Sequence, residues 1–101
     1  GLDRIVDHEE YINCLVNRGD FRTLSLLDNV IQKFEENRSQ FDGNERMIAH
    51  YHFLQRRRSY VLVDMGEYGR AEAILKKLLD VEDSKEFALN ELAVIQRRKR
   101  E

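Results

Sequence analysis

The amino-acid sequence predicts an all-α fold, and three observations support that prediction. Apolar residues make up 42% and charged residues 36% of the 101 residues, proline is absent, and there are only five glycines. Apolar residues recur at steps of three and four along most of the chain, and no segment alternates as a strand would. Glycines and one clear turn sequence divide this pattern into about five helical segments.

The first two segments predict a helical hairpin. The first helix is predicted from Asp3 to Arg18 and ends at Gly19, because glycine readily adopts the left-handed backbone that terminates a helix. The second is predicted from Asp20, a suitable N-cap, to about Gln40. Their apolar stripes consist of Ile5, Ile12, Leu15 and Val16, and of Phe21, Leu24, Leu27, Val30, Ile31 and Phe34.

Three further helices follow in the second half of the chain. The stretch FDGN, residues 41–44, predicts a turn, and a third helix then extends from about Asn44 to Met65. Gly66 ends it, and a fourth helix begins near Tyr68. A fifth begins near Asp83 or Ser84. Their apolar stripes consist of Met47, Ile48, Tyr51, Leu54, Val61, Leu62 and Met65, then Tyr68, Ala71, Ile74, Leu75, Leu78 and Leu79, and finally Phe87, Leu89, Leu92, Ala93 and Ile95.

One domain accounts for the whole of residues 1–101, a length that suits one hydrophobic core but not two. We predict a first hairpin over about residues 3–40, a second over about 44–80, and a capping or next-repeat helix over about 83–98. The chain begins with glycine rather than methionine, so we also expect a fragment of a longer protein.

Two stretches of the chain share one design. Alignment of NRGDFRTLSLLDNVIQKF with DMGEYGRAEAILKKLLDV matches Gly19 with Gly66 and Phe21 with Tyr68, an offset of 66 − 19 = 47 residues. A glycine and an aromatic residue in the same order at the same kind of turn indicate that one helical hairpin is used twice.

The second stretch resembles a tetratricopeptide repeat (TPR), in which a glycine ends helix A and an aromatic residue opens helix B. Gly66, Tyr68, Ala71 and Leu75 stand at the turn glycine, the turn aromatic, the central alanine and the large residue one turn later. The resemblance implies a right-handed α-solenoid of antiparallel hairpins that binds partners on the concave face of its A helices, without catalysis. The usual spacing is about 34 residues. Leu24 replaces the central alanine in the first hairpin, so its helices are expected to lie further apart.

The resemblance also implies a set of partner-binding positions when the glycines are used as the register. They are Glu9, Asn13 and Asn17 on the first A helix, Phe53, Arg56, Tyr60 and Asp64 on the second, and Asn90, Val94 and Arg97 if the fifth helix is the next A helix. Asparagine can bond an extended backbone, Phe53 and Tyr60 offer apolar contact, and Arg56 can bind a carboxylate with two hydrogen bonds. The alternative is that these are ordinary solvated positions.

No catalytic or metal-binding pattern stands out. His50 and His52 are two residues apart and therefore diverge on a helix, and His8 lacks the second histidine of a zinc-binding helix motif. Cys14 lies beside the stripe residue Leu15 and is expected to be a buried small apolar residue. A lone cysteine also excludes an internal disulfide, as is usual in a reducing compartment. We expect neither an enzyme nor a cofactor.

The charges give no overall attraction to nucleic acid or to an anionic membrane, since 17 basic and 19 acidic residues leave a net charge of −2. Two basic clusters remain, RRR at residues 56–58 and RRKR at residues 97–100. Arg58 falls on the apolar side of the third helix, so we expect its guanidinium to reach a carboxylate. The candidates are Glu9, Asp28 and Glu72.

Taken as a set, these features predict a non-catalytic, cytoplasmic protein-interaction module that binds a peptide or a partner helix. The alternative is a self-associating structural bundle, in which the same face closes against a second copy as a homodimer. Binding of nucleic acid through the two basic clusters is less favoured, because few aromatic residues are interleaved with them. No apolar run is long enough to span a membrane, so no membrane partner is expected.

Overall fold

The computed structural model of the chain describes residues 2–20 and 22–101, and it contains five α-helices. They are α1 (Leu2–Asn17), α2 (Thr23–Glu36), α3 (Glu45–Asp64), α4 (Tyr68–Leu78) and α5 (Lys85–Arg100), with a short 3-10 helix, Arg38–Phe41, between α2 and α3. No strand occurs among these residues, so the predicted all-α fold with five helices is confirmed. Phe21, which the internal alignment pairs with Tyr68, lies outside the described residues.

Two glycines end α1 and α3 with the same backbone motif. Gly19 and Gly66 have φ angles of 68° and 80°, a left-handed conformation that glycine adopts without a steric penalty. At both corners the glycine N–H donates to the carbonyl three residues earlier, and the following N–H donates to the carbonyl five residues before it. These bonds form a Schellman motif. The motif therefore recurs at the two glycines that the alignment superimposes.

The second helix is shorter than predicted at both ends. It begins after Arg22 rather than at Asp20, whose carboxylate accepts a hydrogen bond from the Arg22 backbone N–H (3.0 Å) ahead of the helix. It ends before the predicted limit at Gln40, because the chain tightens there into the 3-10 helix. The predicted turn follows, with Gly43 at a φ of 79° and Asn44 capping the first turn of α3.

α3 is the central helix, because it contacts each of the other four. Consecutive helices contact one another, and α1 and α5 also contact α3. Among the consecutive pairs, α3 and α4 make the most extensive contact and α1 and α2 the least extensive. The less extensive contact between α1 and α2 agrees with the expectation that these helices lie further apart, because Leu24 stands where the second hairpin has Ala71.

The buried core forms two clusters. One joins α1, α2 and α3 and consists of Ile12, Val16, Leu27, Ile31, Leu54 and Val61. The other joins α3, α4 and α5 and consists of Leu62, Val63, Ala71, Leu75, Leu78, Ala88 and Ile95. Leu24 packs against both clusters, so the two hairpins share one apolar interior.

Small residues are buried on both helices of the second hairpin. Ala71 on α4 and Ser59 on α3 are completely buried, as the close approach inferred from the sequence requires. The Ser59 hydroxyl donates to the Arg56 carbonyl (2.8 Å), so its polar atom is paired within its own helix. A methyl and a hydroxymethyl group allow the two backbones to come close without leaving a polar atom unpaired.

On α5 the buried stripe differs from the predicted one. Leu89 is 53% exposed and Ala93 is also exposed, whereas Ala88 and Ile95 are completely buried. Because one residue is 100° of helix rotation, a stripe that begins at Ala88 turns Leu89 out towards solvent.

Three other burial predictions were wrong. Met65 is 50% exposed because it lies at the C-cap of α3, where the chain leaves the helix, and Ile48 is exposed in the first turn of the same helix. Cys14 is exposed rather than buried. It is two residues from both Ile12 and Val16, and residues two apart point to different sides of a helix.

The two glycines at and just after the second corner provide a matched test of the backbone. Gly66→Ala forces an L-residue into the left-handed region and should lower the free energy of unfolding by about 1–2 kcal/mol. Gly69 is in the first turn of α4 with free space around its Cα, so Gly69→Ala should raise stability by about 0.5–1 kcal/mol. Urea unfolding followed by circular dichroism measures both. Equal effects of the two substitutions would contradict the assignment of the corner.

Candidate functional site

All ten residues predicted to bind a partner lie on α1, α3 and α5, and none is fully buried. We call the surface that they define the α1–α3–α5 face. Its exposed members are Asn17, Tyr60, Asp64, Asn90 and Arg97, and its partly buried members are Glu9, Asn13, Phe53, Arg56 and Val94. α3 contacts both α1 and α5, the two other helices that carry these positions.

The seam between α3 and α5 is built around Arg57. Its guanidinium lies 5.3 Å from the ring centre of Tyr60 on α3 and 5.7 Å from that of Phe87 on α5. Burial, together with the charge of Arg56, lowers the pKa of Arg57 below its usual value, although the side chain stays protonated. A cation over two aromatic rings joins the helices while the outer edge of Tyr60, 39% exposed, remains open to solvent.

Further charges line the same seam. Arg98 on α5 donates to the Val63 carbonyl (3.3 Å) and lies 3.9 Å from the Asp64 carboxylate. Burial raises the pKa of Glu91, against the opposing effect of Arg57 and Arg98. The face therefore carries fixed charges of both signs beside an aromatic surface.

The seam between α1 and α3 depends on a buried histidine. Nδ1 of His50 lies 2.8 Å from Oε2 of Glu9, and the imidazole stacks at 6.1 Å on Phe53. The ring of His8 on α1 meets the His50 imidazole edge-on, with 5.7 Å between the two ring centres. Glu9, predicted for binding, therefore also joins α1 to α3, and Phe53, predicted for binding as well, packs on a histidine of its own helix.

Arg56 is held by the connection between α4 and α5. Its guanidinium donates to the Ser84 hydroxyl (2.7 Å) and lies 3.5 Å from the Asp83 carboxylate. His52 approaches the other oxygen of Asp83 at 3.1 Å. Ser84 is completely buried and donates in turn to Asp83 (2.7 Å). Arg56 was expected to bind a carboxylate of a partner, and the carboxylate of Asp83 in its own chain already lies beside it.

The basic clusters are largely engaged within the fold. Nε of Arg58 donates to the Asp28 carboxylate at 2.6 Å. This confirms the prediction that Arg58 reaches a carboxylate, and it identifies Asp28 as the partner among the three candidates. In the C-terminal cluster, Lys99 donates to Glu72 on α4 (2.6 Å). Arg97 and Arg100 are exposed and make no ion pair among the described residues.

Sequence reasoning did not single out several of the residues that make contacts around this face. Arg57 and Arg98, rather than their neighbours Arg56 and Arg97, meet the aromatic and acidic groups of the α3–α5 seam. The signal for Arg57 was its spacing of three from Tyr60, which favours contact on a helix. His50 is buried, and its spacing from Leu54 and Val61 is the sequence signal that could have shown this.

No group of three or more His, Cys, Asp or Glu side chains among the described residues is placed to hold a metal ion. The Ser84, Asp83 and His52 group is not a nucleophile with its base, because the buried hydroxyl bonds Asp83 and Arg56 and makes no bond to the imidazole. In the range that the structure describes, every helix is too short or too polar to cross a membrane.

No protein-family model, curated protein or solved structure matches this chain. The resemblance to tetratricopeptide repeats consequently rests on the sequence of the second hairpin.

The α1–α3 seam should make stability depend on pH. Burial and the charge of His50 lower the pKa of His8 below its usual 6.5. The unfolded chain therefore binds this proton more readily, so the stability is present above pH 6.5 and falls as the pH drops below that value. We expect His8→Gln to lose less stability than the parent between about pH 7.5 and about pH 5 in thermal melts. Parallel curves for the two proteins would contradict this.

Proposed function

We propose that this protein is a non-catalytic, TPR-like interaction module that binds an extended peptide or a partner helix on the α1–α3–α5 face. The observation that carries the proposal is the pattern of helix contacts: α1, α3 and α5 adjoin, and α2 and α4 join them in sequence. This is the contact pattern expected of a short α-solenoid. The recurrence of the Schellman corner at Gly19 and Gly66 supports it. The exposed, unpaired Cys14 is compatible with a reducing compartment, and we place the protein in the cytoplasm.

The chemistry of the face suits a peptide that carries both charge and an apolar side chain. Tyr60 presents an aromatic surface whose orientation is set by Arg57, so little rotamer entropy is lost on binding. Asn13 and Asn17 on α1 have amides that can pair with the backbone of an extended peptide. Asp64 on α3 offers an exposed carboxylate, 3.9 Å from Arg98, for a basic side chain.

Two exposed tyrosines provide a test with a matched control. Tyr60 lies on the proposed binding face, whereas Tyr11 on α1, 56% exposed, is not one of its residues. Peptides are first selected from a displayed random library on the parent protein, and their affinities are then measured by calorimetry. We expect Tyr60→Ala to weaken binding by about tenfold or more, because a central aromatic residue is typical of binding hot spots. Tyr11→Ala should bind as the parent does.

The controls separate loss of binding from loss of fold. Both tyrosines are exposed enough that neither substitution should reduce helicity, which circular dichroism checks. Arg56 is left unchanged because it holds the connection to α5. If the library yields no binders, or if the binders tolerate Tyr60→Ala, then the face is not the peptide site.

Self-association is the second candidate, and exposed apolar side chains favour it. Val6 on α1, Tyr60 on α3 and Leu89 on α5 are each more than a third exposed. If these exposed side chains pack against a second copy, the mass from light scattering should rise from that of a monomer to that of a dimer as the concentration increases. Leu89→Lys should then abolish the rise. The peptide-binding proposal instead predicts a monomeric mass of 12.1 kDa throughout the range. A stable dimer insensitive to Leu89→Lys would contradict both.

A further inference from the structure

An open cleft lies on the other side of α3, between the C-terminal end of α2 and the whole length of α4. Its floor is formed by Tyr51, His52 and Gln55, and its volume is about 700 Å³. A neighbouring cavity of about 450 Å³ shares Arg38, Tyr51 and His52 with it and reaches under the 3-10 helix. We call the larger cavity the α2–α4 cleft. It is separate from the α1–α3–α5 face, because Tyr51 and Gln55 are each two residues from Phe53 and point to another side of the helix.

The charge of the cleft is opposite to that of the chain. Its lining includes four basic side chains, Arg38, Arg58, Arg70 and Lys77, and one acidic side chain, Glu35. Asp28 neutralises Arg58. The other three basic side chains make no ion pair within the described part of the chain, whereas the net charge of the whole chain is −2. These basic groups therefore attract an anionic partner locally.

Apolar side chains lie between the basic groups. Ala73, Ile74, Leu78 and Val81 line the α4 wall of the cleft. Arg70, Ala73 and Lys77 are spaced by three and four residues, so they form one exposed stripe along α4. A partner that fits this stripe needs negative charge at both ends and an apolar group between them.

We propose that the α2–α4 cleft is a second binding site, which takes an acidic peptide segment bearing leucine-like side chains. Its carboxylates would pair with Arg70 and Lys77, and its apolar side chains would cover Ala73 and Ile74. Single-stranded nucleic acid fits less well. Both rings of the floor are engaged, because the hydroxyl of the partly buried Tyr51 donates to Glu35 (2.9 Å) and His52 lies 3.1 Å from the Asp83 carboxylate, so neither ring is free to stack on bases. The proposal does not depend on the function proposed for the α1–α3–α5 face.

Anisotropy of a fluorescein-labelled peptide of glutamates, with leucines at helical spacing, tests the proposal on the intact chain. The parent should bind it, and the double variant Arg70→Glu with Lys77→Glu should bind about tenfold less tightly. Ala73→Glu keeps every basic residue but blocks the apolar stripe with a negative side chain, and it should weaken binding similarly. Positions 70, 73 and 77 are exposed, so all three substitutions should leave the helicity unchanged.

The matched control is Lys33→Glu with Lys76→Glu, which changes the net charge equally at exposed positions outside the cleft lining. It should bind nearly as the parent does, and so should Tyr60→Ala. A parent that does not bind the peptide would overturn the proposal, as would equal losses in the cleft and control pairs. Tighter binding of a labelled oligouridine than of the peptide, lost in the cleft variants, would assign the cleft to nucleic acid and overturn it as well.

Discussion

α3 is in contact with all four other helices, yet its middle carries three consecutive arginines. Successive residues turn by 100°, so their side chains point to three different neighbours. Arg56 bonds the α4–α5 connection, Arg57 lies over an α5 ring, and Arg58 pairs with Asp28 of α2. All three side chains are partly buried, so the loss of any of these contacts would leave a partly desolvated charge without its partner, and each arginine favours one position of its neighbour. The arginines that suggested a basic surface are therefore also what aligns the helices.

The same principle explains why the predicted binding face is partly a structural seam. Glu9 pairs with His50, and Phe53 stacks on that histidine, before any partner is present. Side chains held in this way lose little conformational freedom on binding, although they also offer fewer free hydrogen bonds. The unengaged groups of the face include the edge of Tyr60 and the exposed side chains of Asn17, Asn90 and Arg97, and binding specificity has to come from such groups.

The sequence was most informative where one residue's backbone decides the structure. Gly19 and Gly66 need a left-handed conformation that other residues avoid, so both corners and their common spacing could be predicted. Which side of a helix becomes buried depends on how neighbouring helices are rotated and crossed, and one sequence does not specify this. Hence Cys14 was expected inside and is exposed, and Leu89 was placed on the buried stripe of α5 and is 53% exposed.

The departure from a regular repeat has a structural consequence of its own. The two corners are 47 residues apart, against about 34 in a regular array, and the added length lies in the 3-10 helix with its turn and in α3, which has 20 residues against 16 in α1 and in α5. α2 has 14 residues and α4 has 11, so the end of α2 and the following turn form a wall opposite α4 rather than packing on it. Glu35 and Arg38 stand on that wall. The extra residues therefore build the α2–α4 cleft, which a pair of hairpins with regular spacing would not need to leave open.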